Sequence, residues 1–183
     1  MLAFYPPATL EADRGPALSE RMRRYPEEAL PLATEACHAA LEDANVSPDQ
    51  IGQLVVVSCT GFYAPGVDIG LIDTLGLPPT VGRTMVGFMG CHGAMNGLRV
   101  VRSLAESQCK PDQHVLMCCV ELCTLHFQYG WDPQKVVANA LFADGAAALV
   151  GQYDPASGSD HSGAKPPDLP SVTAHGSCVL PDS

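Results

Sequence analysis

Short apolar runs that favour strands alternate with stretches of helical periodicity along residues 1–150. The run "LVVVSCTG" (54–61) is apolar at consecutive positions, as expected for a strand that is covered on both faces. Three further runs are predicted strands, namely "RTMVGF" (83–88), "HVLMCCVEL" (114–122) and "GAAALVGQ" (145–152). A chain in which strands and helices alternate is restricted to a layered α/β fold, with helices covering the sheet.

Helical patterns lie before and between these strands. From Glu27 to Ala44 the apolar residues recur at helical spacing, and Pro31 predicts a kink near the start of this helix. The other predicted helices are "DIGLIDTLGLP" (68–78), "CHGAMNGLRVVRSLAES" (91–107) and "PQKVVANALF" (133–142). These boundaries leave only short connections between the elements.

The alternating region, residues 1–150, is predicted to form one core domain. The stretch 151–170 is rich in Gly, Pro and Ser and has almost no large apolar residue, so it is predicted to be a loop. Residues 171–183 are predicted to start a further strand at which the chain breaks off. We therefore expect a truncated protein.

The charge balance of the chain excludes several function classes. Ten Lys and Arg stand against twenty Asp and Glu, and no basic run is present that could follow a phosphate backbone, so we expect no nucleic-acid partner. The N-terminus lacks the pattern of a secretion signal, and no segment reaches the about 18 consecutive apolar residues of a membrane-spanning helix. We expect a cytoplasmic protein without a membrane span.

Eight cysteines raise the question of disulfides or metal. The chain is not small and carries no export signal, which favours reduced thiols. Cys119, Cys123 and His126 could be zinc ligands, but their spacing is not the paired C-x2-C pattern of structural zinc sites. Buried free cysteine is common, and we expect no metal site.

Cys91, in "VGFMGCHGAMNGLR" (86–99), falls where a predicted strand hands over to a predicted helix. Unpaired backbone N–H groups and the helix dipole at such a position favour a thiolate, the nucleophilic form of cysteine. The glycines around it would allow a tight turn and leave room for a bulky acyl chain. The competing interpretation is that small residues let the helix pack on the sheet and that the thiol is inert.

Four blocks in order carry a resemblance to a known family: "VSCTGFYAPGVDIGLIDTLGLPPTVGRTMVGFMGCHGAMNGLR", "VLMCCVELCTLHFQ", "ALFADGAAALVG" and "SCVLPDS". They resemble the N-terminal half of type III polyketide synthases, the chalcone synthase-like enzymes with a thiolase-like α/β layered fold. The resemblance runs from about Arg21 to Ser183. In style it is nearest to the bacterial alkylresorcinol and alkylpyrone synthases, which suggests a long-chain acyl-CoA starter.

The resemblance implies an acyltransferase reaction. Cys91 would accept an acyl group from an acyl-CoA, and decarboxylation of malonyl-CoA would supply the enolate that attacks it. The two coenzyme A thioesters are substrates, and no separate cofactor is expected. In the family a His and an Asn of the C-terminal half assist this step, and no histidine of this chain matches those motifs. The resemblance also implies a homodimer.

Four further residues are carried over as substrate-binding positions. Thr60 and Ala64 match a loop that lines the cavity and reaches toward the partner subunit. Ala64 stands where plant chalcone synthases have methionine, and a smaller residue should leave more space. Cys123 and His126 match positions that shape the cavity wall. Without the resemblance, both would be interpreted as packing at a strand end.

Two other functions remain open at this stage. One is a condensing enzyme of the ketoacyl synthase III type that works on acyl carrier protein, although the acidic chain shows no basic docking patch. The other is a catalytically silent chain that serves as a dimerisation partner. Asp144 could orient a base, but Asp-Gly before a buried strand is ordinary turn chemistry, so we expect a structural role for it.

Overall fold

The computed structural model describes residues 4–10, 13–155, 170–172 and 174–176. Its strands are β1 (Ile51–Ser58), β2 (Gly82–Gly87), β3 (His114–Leu122) and β4 (Asp144–Gly151). They form one sheet in the order β2-β1-β3-β4. β1 pairs in parallel with both β2 and β3, whereas β4 runs antiparallel to β3. All four predicted strands are confirmed.

The helices are α1 (Leu18–Ala44), α2 (Val67–Leu75), α3 (Gly93–Ser107) and α4 (Pro133–Leu141). Short 3-10 turns cover Pro48–Gln50, Gly90–His92 and Cys123–His126. The predicted start of the first helix at Glu27 is wrong, because α1 begins at Leu18 and contains two prolines. Its N-terminus is supported by the Glu20 carboxylate, which accepts a hydrogen bond from the Ala17 N–H at 2.8 Å.

Packing explains why α1 continues through its prolines. A proline inside a helix removes a hydrogen bond and costs about 3 kcal/mol. The buried stripe of α1 nevertheless begins at Tyr25, before both prolines, and Tyr25 and Ala29 are as buried as Cys37. Burial of a whole helix face outweighs that local loss, since tertiary packing supplies most of a helix's stability in proteins.

Helices cover both faces of the sheet. Leu54 and Val56 of β1 belong to a cluster with α1 and α2, whereas Val55 and Val57 belong to a second cluster with α3. Because successive side chains of a strand point to opposite faces, this alternation confirms the predicted strand buried on both sides. Among the described residues, none of the helices has the length and apolarity to span a membrane.

The parallel strands determine where the candidate site lies. The carboxyl ends of β1, β2 and β3 meet at one edge of the sheet, and Ser58 of β1 is paired with Gly87 of β2 there. Residues 59–66, 88–92 and 123–126 therefore follow these strands at the same edge. Of the predicted loop 151–170 the structure describes 151–155 and 170, and β4 ends at the first of them, Gly151. Of the predicted strand 171–183 it describes 171, 172 and 174–176, none of which lies in a strand, and the rest of both segments falls outside the described residues.

Candidate active site

Cys91 lies at the turn between β2 and α3, and its side chain is exposed. The predicted strand-to-helix junction is confirmed, with the 3-10 turn Gly90–His92 placed just before the start of α3. Two residues of this junction have left-handed backbone angles, Phe88 with φ 59° and Gly90 with φ 65°. A side chain is disfavoured in that conformation, so the junction at Phe88 is strained.

The glycines around Cys91 have two different roles. A Cβ at Gly90 would meet nothing within 4 Å, so this position needs glycine for its backbone angle. A Cβ at Gly97 would lie 2.7 Å from Met117 Sδ and 2.9 Å from a methyl of Val57. The prediction that these glycines make room for an acyl chain is thus wrong for Gly97, which lets α3 approach the sheet.

Gly93 repeats this arrangement one turn closer to Cys91. A Cβ at Gly93 would be 2.9 Å from Val57 Cγ1, and Gly93 itself is buried. Two small residues one turn apart on one face of α3 thereby place the start of the helix directly over β1. This close packing brings the N-terminus of α3 to the edge where the parallel strands end.

The Glu121 carboxylate holds the loop that follows β1. It accepts hydrogen bonds from the Cys59 N–H at 2.9 Å, from the Thr60 N–H at 3.0 Å and from the Thr60 hydroxyl at 2.6 Å. The Thr60 hydroxyl oxygen in turn accepts from the Leu122 N–H at 2.8 Å. Charge-assisted hydrogen bonds of this kind are stronger than neutral ones, so Glu121 ties the end of β1 to the end of β3.

Thr60 and His126, both predicted site residues, are in direct contact. The Nε2–H of His126 donates a hydrogen bond to the Thr60 carbonyl oxygen at 2.6 Å. The proton on the ring is therefore assigned to Nε2. This bond turns His126 toward the loop after β1 and fixes its orientation.

Cys123, the third predicted wall residue, opens the 3-10 turn after β3 and is partly buried. Burial raises the pKa of its thiol, and the negative charges of Glu121, Asp144 and Cys91 raise it further. Both cysteines follow parallel strands, β2 and β3, whose carboxyl ends lie at the same edge of the sheet. Cys123 is thereby kept as a neutral thiol beside the exposed Cys91.

Asp144, at the start of β4, has a structural role. Its carboxylate accepts hydrogen bonds from the Thr124 N–H at 2.8 Å and from the Thr124 hydroxyl at 2.7 Å. It thus caps the turn that contains Cys123 and His126. A structural role was predicted for this acid from Asp-Gly turn chemistry, but Asp144 is the first residue of β4 and its contact is with Thr124, 20 positions away.

Ala64 lies on the exposed loop between β1 and α2, where it is joined to Pro65 by a cis peptide bond. The same loop approaches the junction after β2, because the Phe62 and Phe88 rings lie 6.5 Å apart, centroid to centroid. Phe62 and Phe88 are 58% and 82% exposed. Ala64 therefore belongs to a partly apolar surface beside the turn that contains Cys91.

Comparison with known proteins identifies the family and the fold of the chain. The sequence profile of the family "Chalcone and stilbene synthases, N-terminal domain" matches residues 1–155. The chain belongs to the type III polyketide synthase family. Its fold is the thiolase-like α/β fold of that family's solved structures.

Individual relatives of this polyketide synthase domain come from distant organisms. It is 40% identical over 138 residues to "Alpha-pyrone synthesis polyketide synthase-like Pks18" of Mycobacterium tuberculosis, covering 75% of this chain and 35% of that protein. PKS-I of the brown alga Ectocarpus siliculosus superposes with a TM-score of 0.70 and 39% identity, covering 79% of this chain and 38% of that one. CsyB complexed with CoA-SH gives 0.66 and 32%, covering 78% and 40%. The chain thus spans well under half the length of these relatives.

Two functional candidates in this polyketide synthase domain were not predicted from the sequence, Glu121 and Cys59. Cys59 follows β1, and its Sγ accepts a hydrogen bond from the Gly90 N–H at 3.2 Å. The one available signal for Glu121 was a lone carboxylate at the end of an otherwise apolar strand. Such a group needs hydrogen-bond donors, although the sequence does not say which.

The zinc hypothesis finds no support among the described residues. No group of three or more His, Cys, Asp or Glu side chains in residues 4–10, 13–155, 170–172 and 174–176 could hold a metal ion. Cys119 packs into the cluster between the sheet and α3. Burial, together with the charges of Cys118 and Glu121, raises the pKa of Cys119 to about 11, which disfavours the thiolate that zinc binds.

Proposed function

We propose that this polyketide synthase domain accepts an acyl group from an acyl-CoA thioester on Cys91 Sγ. The observation that carries the proposal is the exposure of Cys91 at the edge where three parallel strands end, directly before α3. The first N–H groups of a helix have no intrahelical partner and favour negative charge nearby. The Cys91 side chain is exposed beside these groups, so an acyl-CoA can reach its Sγ.

The proposed transfer exchanges one thioester for another. The Cys91 thiolate attacks the carbonyl carbon of the acyl-CoA, a carbon–sulfur bond forms, and a tetrahedral oxyanion results. When the oxyanion collapses, the bond to the coenzyme A sulfur breaks, and coenzyme A leaves as a thiolate that takes a proton from water. The acyl group remains on Cys91.

Chain extension would follow from malonyl-CoA. Loss of carbon dioxide yields an enolate whose carbon attacks the acyl thioester on Cys91, and the Cys91 thiolate is released. We propose a long-chain acyl-CoA as the starter, coenzyme A thioesters as the only substrates, and no separate cofactor. The structure of CsyB complexed with CoA-SH, a relative at 32% identity, supports coenzyme A as the carrier.

The proposed cavity wall consists of Thr60, Ala64, Cys123 and His126. His126 and Thr60 are held together by their hydrogen bond, so their positions are coupled. Cys123 presents a neutral, apolar thiol beside Cys91, which suits an acyl chain better than a charge. The small side chain of Ala64 leaves space on the loop after β1.

We propose that the protein acts as a cytoplasmic homodimer. Large apolar side chains are exposed on the loop after β1, on β2 and around the nucleophile turn: Phe62, Met85, Phe88, Met89 and Met95. Exposed apolar side chains in such number favour an interface with a second copy.

Intact-protein mass spectrometry after incubation with a long-chain acyl-CoA tests the transfer. We expect one acyl adduct on the wild-type chain, none on Cys91→Ala, and an adduct retained on the matched thiol control Cys123→Ala. Trypsin localises the adduct, because peptide 84–99 contains Cys91 as its single cysteine. A folded wild-type chain that stays unmodified contradicts the proposal, and preferential acylation from acyl carrier protein favours the ketoacyl synthase alternative.

A further inference from the structure

The Cys59 thiol makes a contact that the proposed chemistry does not use. Its Sγ lies 3.2 Å from the Gly90 nitrogen and 3.9 Å from the Gly90 carbonyl oxygen. Gly90 immediately precedes Cys91 in the chain. A side chain at the end of β1 therefore bonds the peptide that leads into the nucleophile turn.

The turn needs such support, because its backbone is unfavourable by itself. Phe88 and Gly90 both have positive φ, and the Phe88 ring is 82% exposed, so packing of that ring does little to hold the conformation. A strained conformation persists only where surrounding contacts determine it. The pairing of Ser58 with Gly87 links β1 to this junction, and the contact of Cys59, the residue after β1, links it at Gly90.

Cys59 is itself held from the opposite side. Its backbone N–H donates to both oxygens of Glu121, at 2.9 and 3.1 Å. Thr60, the next residue, donates to the same carboxylate through its N–H and its hydroxyl. Glu121 on β3 thus fixes the backbone of Cys59, and the Cys59 side chain fixes Gly90.

We propose that Cys59 is a positioning residue for the nucleophile, since its Sγ accepts the Gly90 N–H and keeps Cys91 at the start of α3. The thiol of Cys59 does not react with substrate. Its loss releases the turn and moves Cys91 out of the field of the helix N-terminus. The proposal rests on the proposed function only in treating Cys91 as the nucleophile.

The test compares Cys91 alkylation by iodoacetamide in the full chain from about pH 6 to about pH 10, since the thiolate is the reacting form. The peptide 84–99 reports on Cys91 alone. For Cys59→Ala we expect a rate at neutral pH that is roughly three- to tenfold lower, the worth of one hydrogen bond.

Two matched variants separate positioning from general damage. Cys59→Ser retains an acceptor on a shorter bond and should give an intermediate rate. Cys109→Ala removes another partly buried thiol, at the far end of α3, and should leave the Cys91 rate unchanged. Equal slowing in Cys59→Ala and Cys109→Ala, or no slowing in a folded Cys59→Ala chain, overturns the proposal.

Amide hydrogen exchange of the wild-type chain, labelled with 15N-glycine, gives a second measurement that needs no variant. We expect the Gly90 amide to be protected, and free exchange at Gly90 overturns the proposal even if Cys59→Ala does not fold. Failure of the proposed function has a different signature. In that case Cys91 is not acylated by acyl-CoA, while its alkylation rate still depends on Cys59.

Discussion

Replacement of Glu121 by alanine should destabilise the fold more than removal of an ordinary surface charge. The carboxylate accepts the Cys59 N–H, the Thr60 N–H and the Thr60 hydroxyl at 2.6–3.1 Å. A buried donor left without a partner costs about 1–3 kcal/mol. Glu121 is only partly buried, so water replaces some of these bonds, and we expect the free energy of unfolding to fall by about 2–4 kcal/mol.

Urea denaturation followed by far-ultraviolet circular dichroism measures this loss. With a urea dependence of about 2 kcal/mol per M, the midpoint should move down by about 1–2 M. Glu121→Gln retains one oxygen acceptor but turns an amide NH2 toward the donors, so it should lose about half as much. Glu106→Ala removes an exposed carboxylate from α3 and should change the free energy of unfolding by less than about 0.5 kcal/mol.

The comparison of Glu121→Ala with Glu106→Ala tests whether Glu121 stabilises the fold by tying β1 to β3. Equal midpoints for the two variants would refute the interpretation that Glu121 ties β1 to β3. A second refuting result is a Glu121→Gln variant as stable as wild type, because that would mean the carboxylate charge is not used. A change in the urea dependence itself would instead indicate an altered denatured state.

Two further predictions concern packing and pH. Gly97→Ala should lower the free energy of unfolding, measured by urea denaturation, by about 1–2 kcal/mol, because the added Cβ would press on Met117 Sδ. Gly145→Ala is the control and should have little effect, because the space around Gly145 is open. Burial raises the pKa of Tyr25 from 10.0 to about 12 despite its hydrogen bond to Ser58. The buried neutral phenol of Tyr25 makes its full contribution to the free energy of unfolding below about pH 10. That free energy should fall by up to about 3 kcal/mol as the pH approaches 12. If urea titrations over this range show no larger fall for the wild-type chain than for Tyr25→Phe, the assignment is contradicted.

Strands were the part of the fold that the sequence predicted most directly. Runs such as 54–61 are apolar and β-branched, and their burial on both faces follows from consecutive apolar residues. The start of α1 was missed because a proline is a local signal against a helix. The signal in its favour, burial of Tyr25 against distant core residues, is not local.

The candidate site was predicted as a set of positions but not as a network. The strand-to-helix junction at Cys91 follows from the local sequence. The contact of Asp144 with Thr124 does not, because the two residues are 20 positions apart. The contacts of Glu121 with Cys59 and Thr60 join residues that are 61 and 62 positions apart. No local pattern indicates which loop a strand-end carboxylate will bind.

The glycines after Cys91 show a different limit. A small residue beside a nucleophile suits both an open pocket and a tight helix–sheet contact, and the sequence favours neither. The distances from Gly93 and Gly97 to Val57 decide in favour of the contact. The neighbour in the folded structure, Val57, therefore determines the role of Gly93 and Gly97.

The order of the strands in the sheet also has a consequence during biosynthesis. β1 lies between β2 and β3 in the sheet but precedes both in the chain, so the elements that surround Cys91 leave the ribosome one after another. Cys59 and Cys91 are synthesised first, and Glu121 follows 30 residues after Cys91. At about 5–20 residues per second, Cys91 is synthesised about 2–6 s before Glu121, the carboxylate that binds the Cys59 and Thr60 backbone.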